Sequence, residues 1–203
     1  MPKSYLKKFL HVGCGPARKE NTTAEFSSDH WHELRFDIDP NVTPDIIGTM
    51  TDMSAVGDSC VDAVYSSHNI EHLYAHEVGQ ALSEFKRVLK KDGFLVITCP
   101  DLQEVAKLIA ADKLIDPAYT SPAGPISPLD ILYGFRPSIA RGNTYMAHRC
   151  GFTETVLRGT LIANGFAGVA TKRRPFAFDL WAVASVSPVS EGELKRLAEK
   201  HFP

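Results

Sequence analysis

The stretch Phe9-Leu10-His11-Val12-Gly13-Cys14-Gly15-Pro16 decides the fold. A short apolar run that ends in Gly-x-Gly is typical of a buried strand that runs directly into a tight turn. Glycine has no Cβ, so it adopts backbone angles that other residues avoid and lets a ligand lie against the main chain. The motif alone is equally compatible with a plain tight turn, so its meaning depends on the residues further along the chain.

Further apolar segments repeat the pattern of strand, loop and helix. Strands are predicted over residues 8–12, 34–39, 45–48, 61–67 and 94–99, with a helix over 76–89 and a turn at 91–93. After residue 150, the spacing of apolar residues predicts a helix over 153–164, a hairpin over 166–186 and a last helix that starts after Ser190. Repeated strand–loop–helix units indicate a doubly wound α/β sheet whose strands are mostly parallel.

Polar and glycine residues cluster where the predicted strands end. In a doubly wound sheet the ligand binds outside the carboxyl ends of the strands. Asp37 lies 22 residues beyond Gly15, an interval at which a carboxylate accepts hydrogen bonds from both hydroxyls of a ribose. A turn aspartate before Pro40 is the alternative interpretation. The edge predicts a nucleoside-containing ligand and includes these residues: Gly13, Gly15, Asp37, Asp52, Ser67, His68 and Asp101.

The glycine loop does not match the phosphate-binding loops of nucleotide enzymes. A nicotinamide-binding domain has a third glycine, but that position is Arg18 here. The Gly-Lys-Ser/Thr of a Walker loop is also absent from the sequence. A ligand with a ribose and no phosphate therefore fits better.

The residues of the first half resemble the class I S-adenosylmethionine-dependent methyltransferases of the type 11 group. Four segments carry the resemblance, 11–15, 35–40, 62–73 and 84–94, and it extends over roughly residues 8–101. It implies a Rossmann-like sheet of seven strands with an antiparallel strand from the C-terminal hairpin, and S-adenosyl-L-methionine as cofactor. The family usually has an aspartate where Thr49 stands, so Asp52 is assigned to the adenine instead. The cofactor-binding residues implied by the resemblance are Val12, Gly13, Cys14, Gly15, Asp37, Ile38, Met50, Asp52, Met53, Ser67 and His68.

The same resemblance implies transfer of a methyl group to a small-molecule acceptor. His68 and His148 are the candidate catalytic bases for an oxygen or nitrogen acceptor. The Asn/Asp-Pro-Pro-Tyr/Phe motif that accompanies amino-group methylation of nucleobases and glutamine is not found after the fourth strand. A cofactor-binding module without chemistry of its own, such as a partner subunit, is the alternative, and a nicotinamide oxidoreductase is a third.

His68-x-x-Glu71-His72 matches the pattern with which inverted zinc peptidases hold their metal. The segment comes directly after a buried strand, however, and the methyltransferase family places the same Glu-His-Leu at the start of a helix. We therefore expect Glu71 and His72 to serve packing and capping, and no metal site.

Residues 102–150 change in character, because repeated prolines interrupt regular structure. We expect a single domain over residues 1–203 in which this irregular insertion covers the substrate. The candidate substrate-facing residues are Tyr133, Arg136, Arg141, Asn143, Tyr145 and His148. Alternatively, these polar groups only bind the segment to itself.

Composition excludes several other classes. The net charge of −2 does not favour nucleic acid or an anionic membrane, and Lys172-Arg173-Arg174 is interpreted as a solvated turn. Four widely spaced cysteines are typical of reduced thiols, and the chain has neither a signal-peptide pattern nor an 18-residue apolar run. We expect a cytoplasmic protein that does not bind membranes, and the sequence does not indicate its oligomeric state.

Overall fold

The computed structural model describes residues 6–203. A seven-stranded sheet runs through it in the order β3-β2-β1-β4-β5-β9-β8, with the first five parallel and β9 antiparallel to both of its neighbours. The predicted fold class is confirmed. The strands of this sheet are β1 (Lys7–Val12), β2 (Trp31–Asp37), β3 (Ile46–Ile47), β4 (Val61–Ser67), β5 (Leu89–Pro100), β8 (Gly168–Arg174) and β9 (Asp179–Ser185), while β6 (Tyr119–Ser121) and β7 (Gly124–Ile126) form a separate small hairpin.

Six α-helices accompany the strands in the described part of the chain. They are α1 (Val78–Val88), α2 (Leu102–Ala110), α3 (Pro128–Tyr133), α4 (Arg136–Ala140), α5 (Glu154–Ala163) and α6 (Glu191–His201). The predicted starts of the last two are confirmed, because Thr153 caps α5 and Ser190 with Glu193 forms a capping box at α6. None of the described helices is long and apolar enough to cross a membrane.

Two apolar layers enclose the sheet. On one face, α1 and α5 bury residues such as Leu82 and Leu161 against the strands. On the other face, an aromatic cluster forms around Phe26, whose ring stacks 4.4 Å from that of Phe9. The strand edge that carries the glycine loop is held in place by this packing on both sides.

Two local expectations were wrong. Residues 91–93, predicted as a turn, lie inside β5, because β5 pairs with β4 from Leu89 onward across a shift in register. Arg173 and Arg174 do not form a solvated turn, since Arg173 pairs with Asp101 and Arg174 with Asp179. These arginines are partly buried at the junction of β8 with β9 and α2.

The insertion has more structure than its prolines suggested. It contains α2, β6, β7, α3 and α4, and α5 follows it. Pro128 lies in the first turn of α3 and Pro137 in the first turn of α4, where the missing N–H of proline breaks no hydrogen bond. The prolines thus start short helices as well as ending others.

A buried histidine makes stability depend on pH. The His201 ring lies 4.4 Å from that of Phe26, and its Nδ1 is 2.9 Å from Thr23 Oγ1. Burial lowers the pKa of His201 to about 4, so between pH 6.5 and 4 the unfolded chain binds this proton and the folded chain does not. The contribution of His201 to the free energy of unfolding is therefore fully present above pH 6.5 and is lost as the pH falls towards 4. We expect a loss of about 2 kcal/mol between pH 7.5 and pH 5.

Urea unfolding at a series of pH values measures this loss. His201→Phe should flatten the pH dependence, and replacement of the exposed His30 by alanine should leave it unchanged. Burial also lowers the pKa of His11, so part of the slope persists in His201→Phe. A slope identical to that of the wild type in His201→Phe would contradict the assignment.

Candidate functional site

A cavity of about 380 Å³ opens at the carboxyl ends of β1, β2 and β4. One side is formed by the loops that come after these strands, and the other by residues 143–149 of the insertion. This position is the edge at which a doubly wound sheet binds its ligand. The volume lies within the range of small-molecule sites.

The glycine loop turns sharply after β1 because two amides share one acceptor. The N–H groups of Gly13 and Cys14 donate to the Phe36 carbonyl oxygen, at 2.8 and 3.3 Å. Gly13 has φ +62°, and a Cβ there would lie 2.0 Å from Asn69 Oδ1. Asn69 in turn donates through Nδ2 to the carbonyl oxygens of Val12 and Ser67, each at 2.9 Å. Gly13 is therefore required by the contact with Asn69, which joins the loops after β1 and β4.

Asp37 lies in the cavity wall at the end of β2, with 8% of its surface exposed. Its Oδ2 accepts from the Gly15 N–H at 2.7 Å and its Oδ1 from the Asp39 N–H at 2.9 Å. Each carboxylate oxygen has a second lone pair for another donor. A Cβ on Gly15 would meet no atom within 4 Å, so the space beside Gly15 is open, and Asp37 and Gly15 both line the cavity.

A buried arginine holds the loops on two sides of the cavity. Arg35 is 2% exposed, and its guanidinium donates to four backbone carbonyl oxygens. Gly15 and Ala17 supply two of them in the glycine loop, while Val42 and Thr43 supply two in the loop after β2. The guanidinium thus takes the place of direct hydrogen bonds between these two loops. Sequence reasoning included Arg35 only as part of the segment 35–40 that resembles the family, and nothing in that segment indicates which loops its side chain contacts.

Eight of the predicted cofactor-binding residues lie together in the cavity wall, and three do not. Those in the wall are Val12, Gly13, Gly15, Asp37, Ile38, Met50, Ser67 and His68. The structure places Cys14, Asp52 and Met53 elsewhere. Cys14 is 3% exposed, and burial raises the pKa of its thiol to about 11.

Asp52 and Met53 leave the wall because of the turn before them. The Asp52 N–H donates to the carbonyl oxygen and the hydroxyl of Thr49, at 3.1 and 3.0 Å. The Asp52 carboxylate then accepts from the Ser54 N–H at 3.1 Å, on the outer surface near Gln80. Met53 is fully buried in the core. Gly48, Thr49 and Met50 form the wall instead. Thr49 stands where the family usually has an aspartate, and that position could have indicated this part of the wall.

His68 lies in the wall with a side chain that is 47% exposed and a backbone φ of +52°. Its Nδ1 is 3.5 Å from Glu71 Oε1, which is longer than an ordinary N–H···O hydrogen bond. Partial desolvation of this ring disfavours its charge, but the Glu71 carboxylate outweighs that effect and raises the pKa of His68. His72 lies one turn further along and also lines the cavity.

The insertion contributes fewer cavity residues than predicted. Asn143 and Tyr145 line the cavity, as do Met146 and Arg149, which sequence reasoning missed because no pattern distinguishes them. His148 lies behind His72, with 4.9 Å between ring centroids, and burial lowers its pKa. The other three candidates do not line the cavity: Tyr133, Arg136 and Arg141. Of these, Arg136 instead pairs with Asp130 at 2.7 Å.

We compared the chain with protein families, curated protein sequences and solved structures. Residues 10–97 match the family model of a methyltransferase domain. No curated protein sequence matches the chain.

Many solved structures share the fold. An N1-methyltransferase from Burkholderia thailandensis, solved with 1,6-didemethyltoxoflavin and S-adenosylhomocysteine, is 16% identical with a TM-score of 0.55, over 89% of this chain and 71% of its own. A SAM-dependent methyltransferase from Archaeoglobus fulgidus is 15% identical with a TM-score of 0.57, over 90% and 87%. A putative S-adenosylmethionine-dependent methyltransferase from Listeria monocytogenes is 17% identical with a TM-score of 0.57, over 93% of both chains.

The structures from Archaeoglobus fulgidus and Listeria monocytogenes are described as dependent on S-adenosylmethionine, and the Burkholderia enzyme holds S-adenosylhomocysteine. Residues 10–97 thus match the methyltransferase domain family, and the chain has the fold of solved structures described as S-adenosylmethionine-dependent methyltransferases.

Proposed function

We propose that this protein transfers the methyl group of S-adenosylmethionine to a small-molecule acceptor bound in the cavity. The observation that supports the proposal best is the division of the cavity wall between two sources. The strand ends carry the glycine loop and Asp37, while the insertion adds a second, polar side through Asn143, Tyr145 and Arg149. A cofactor and an acceptor can thus approach each other from opposite sides.

The residues present fit the cofactor. Asp37 keeps a free lone pair on each carboxylate oxygen beside open space, which suits the two hydroxyls of a ribose. Ile38, with 40% of its surface exposed, and Met50 provide apolar wall for an adenine ring. The turn at Gly13 and Gly15 brings main chain to the cavity without side chains. When bound, the cofactor supplies a methyl group already activated by a positively charged sulfur.

The chain then has to align and desolvate the acceptor. We propose that the insertion covers the substrate and limits the entry of water, since four of its residues line the cavity: Asn143, Tyr145, Met146 and Arg149. His68 faces the cavity from the end of β4 and is proposed to contact the acceptor. The acceptor is proposed to be small, since the 380 Å³ cavity has to hold it together with the cofactor.

Formation of S-adenosylhomocysteine from S-adenosylmethionine, measured with a panel of phenols, carboxylic acids and amines, tests the proposal. With an acceptor identified, Tyr145→Ala should raise the KM for the acceptor by about tenfold, because it removes contact area from the insertion side. The affinity for S-adenosylhomocysteine should stay within about twofold. Arg141→Ala is the matched control, since Arg141 is exposed in the same segment and does not line the cavity.

Two results would contradict the proposal. Failure to bind S-adenosylhomocysteine in a calorimetric titration would remove the cofactor site. Binding without turnover over the whole panel would favour the alternative of a cofactor-binding module or partner subunit.

A further inference from the structure

We propose that Glu71, His72 and His148 bind a divalent first-row transition metal at the boundary of the cavity. One ligand atom from each of the three side chains lies within 4.8 Å of the other two. Metal–ligand bonds of about 2.0–2.2 Å place tetrahedral ligands about 3.4 Å apart, so side-chain movements of about 1 Å are sufficient to close the site. The proposal concerns metal binding and does not depend on methyl transfer.

Glu71 is the strongest indication of a missing positive charge. It is 1% exposed, and within residues 6–203 no donor forms a hydrogen bond with either carboxylate oxygen. The nearest side-chain nitrogen is His68 Nδ1, at 3.5 Å. Among the described residues, His68 is thus its one charged neighbour, at a distance too long for a hydrogen bond. Burial of a carboxylate that accepts no hydrogen bond costs several kcal/mol when it is ionised, and a bound cation offsets that cost.

Each histidine of the group is fixed by a contact of its Nδ1 with a backbone carbonyl oxygen. His72 Nδ1 lies 3.1 Å from the Ala147 carbonyl oxygen, and His148 Nδ1 lies 2.8 Å from that of Ile131. A carbonyl oxygen only accepts, so each Nδ1 carries a proton, which leaves Nε2 as the ring atom that can bind a metal. Neither Nε2 forms a hydrogen bond with another described residue. Metal-binding histidines in proteins are commonly fixed by the same bond from the second ring nitrogen.

The three ligands meet through a tertiary contact. Glu71 and His72 belong to the short 3₁₀ turn Ile70–His72, and His148 comes from the insertion. The N–H groups of Arg149 and Cys150 donate to the Glu71 carbonyl oxygen, at 2.8 and 3.2 Å, and this holds His148 beside the turn. In the pattern His68-x-x-Glu71-His72 the third ligand would be His68, whereas in the structure it is His148. This proposal replaces the expectation that the segment holds no metal.

Two imidazoles and a carboxylate suit Zn²⁺, Mn²⁺, Fe²⁺ or Co²⁺ better than Mg²⁺ or Ca²⁺. Three protein ligands leave at least one coordination position for another molecule. His72 lines the cavity, so an oxygen or nitrogen of the acceptor can occupy that position. This last assignment, which makes the acceptor a metal-coordinating molecule, rests on the proposed function.

Titration of chelator-treated, untagged protein with Co²⁺, monitored by visible absorption, tests the site. We expect one equivalent to bind with a d–d band typical of four or five ligands, and an excess of Zn²⁺ to abolish the band. Mg²⁺ should not compete. His148→Ala and Glu71→Gln should each weaken metal binding by at least about 100-fold. Loss of a hydrogen bond that only orients a metal ligand already weakens affinity by up to about 100-fold, and loss of the ligand itself weakens it at least as much.

His76→Ala is the matched control, because His76 is exposed and lies outside the group. Circular dichroism checks that each variant folds, and Glu71→Gln decides the question should His148→Ala fail to fold. Equal binding by wild type and Glu71→Gln, or equal loss in His76→Ala, would overturn the proposal. Titration of the same samples with S-adenosylhomocysteine separates this outcome from loss of the cofactor site.

Discussion

Asp37→Asn is expected to weaken the binding of S-adenosylhomocysteine by about 100-fold, or about 2.7 kcal/mol. Hydrogen bonds to a charged acceptor each contribute roughly 1.5–3 kcal/mol, and the ribose offers two donors to this carboxylate. The amide also has only one oxygen for the Gly15 and Asp39 N–H groups that Asp37 accepts from. Calorimetric titration at constant salt concentration measures the effect.

Two controls make the result specific. Asp39→Asn changes a carboxylate in the same wall that only accepts from Asn41, and should alter affinity by less than about threefold. Asp52→Asn should have no effect, because the structure places Asp52 outside the cavity, whereas the sequence-based assignment to adenine predicts a loss. A loss in Asp52→Asn as large as that in Asp37→Asn would show that the placement of the adenine loop is wrong.

Arg35→Met is expected to lower the free energy of unfolding by about 3 kcal/mol. Methionine fills the space of the arginine stem but donates no hydrogen bonds, so the four carbonyl oxygens of two loops lose their shared donor. Urea unfolding monitored by circular dichroism measures the change. Affinity for S-adenosylhomocysteine should decrease as well, since Gly15 and Val42 in those loops line the cavity.

Arg141→Met is the matched control, as Arg141 is exposed and its side chain forms no ion pair within residues 6–203. It should change the free energy of unfolding by less than about 0.5 kcal/mol. Arg35→Lys keeps the charge with a single amine and should lie between wild type and Arg35→Met. A loss in Arg35→Lys equal to that in Arg35→Met would assign the effect to the planar guanidinium rather than to the charge.

The sequence by itself determined the sheet and the edge at which the cavity opens. Apolar runs such as β4 predict strands because they are buried on both faces, and the Gly13–Gly15 turn marks where the first strand ends. The spacing of Asp37 from Gly15 predicted a carboxylate at that edge, and the structure places it in the cavity wall. Each of these features depends on residues that are close together in the sequence, so each can be predicted from a single segment.

Only the tertiary structure decided which side chains meet across loops. Asp52 is next to the binding edge in sequence, but a turn at Thr49 directs it to the outer surface. Arg35 begins a segment that resembles the family, but only the fold shows that its guanidinium connects two loops. His148 joins Glu71 from 77 positions further along the chain, through backbone hydrogen bonds that no spacing rule predicts. Such contacts depend on how loops pack against one another, and the same residues in another packing would lie far apart.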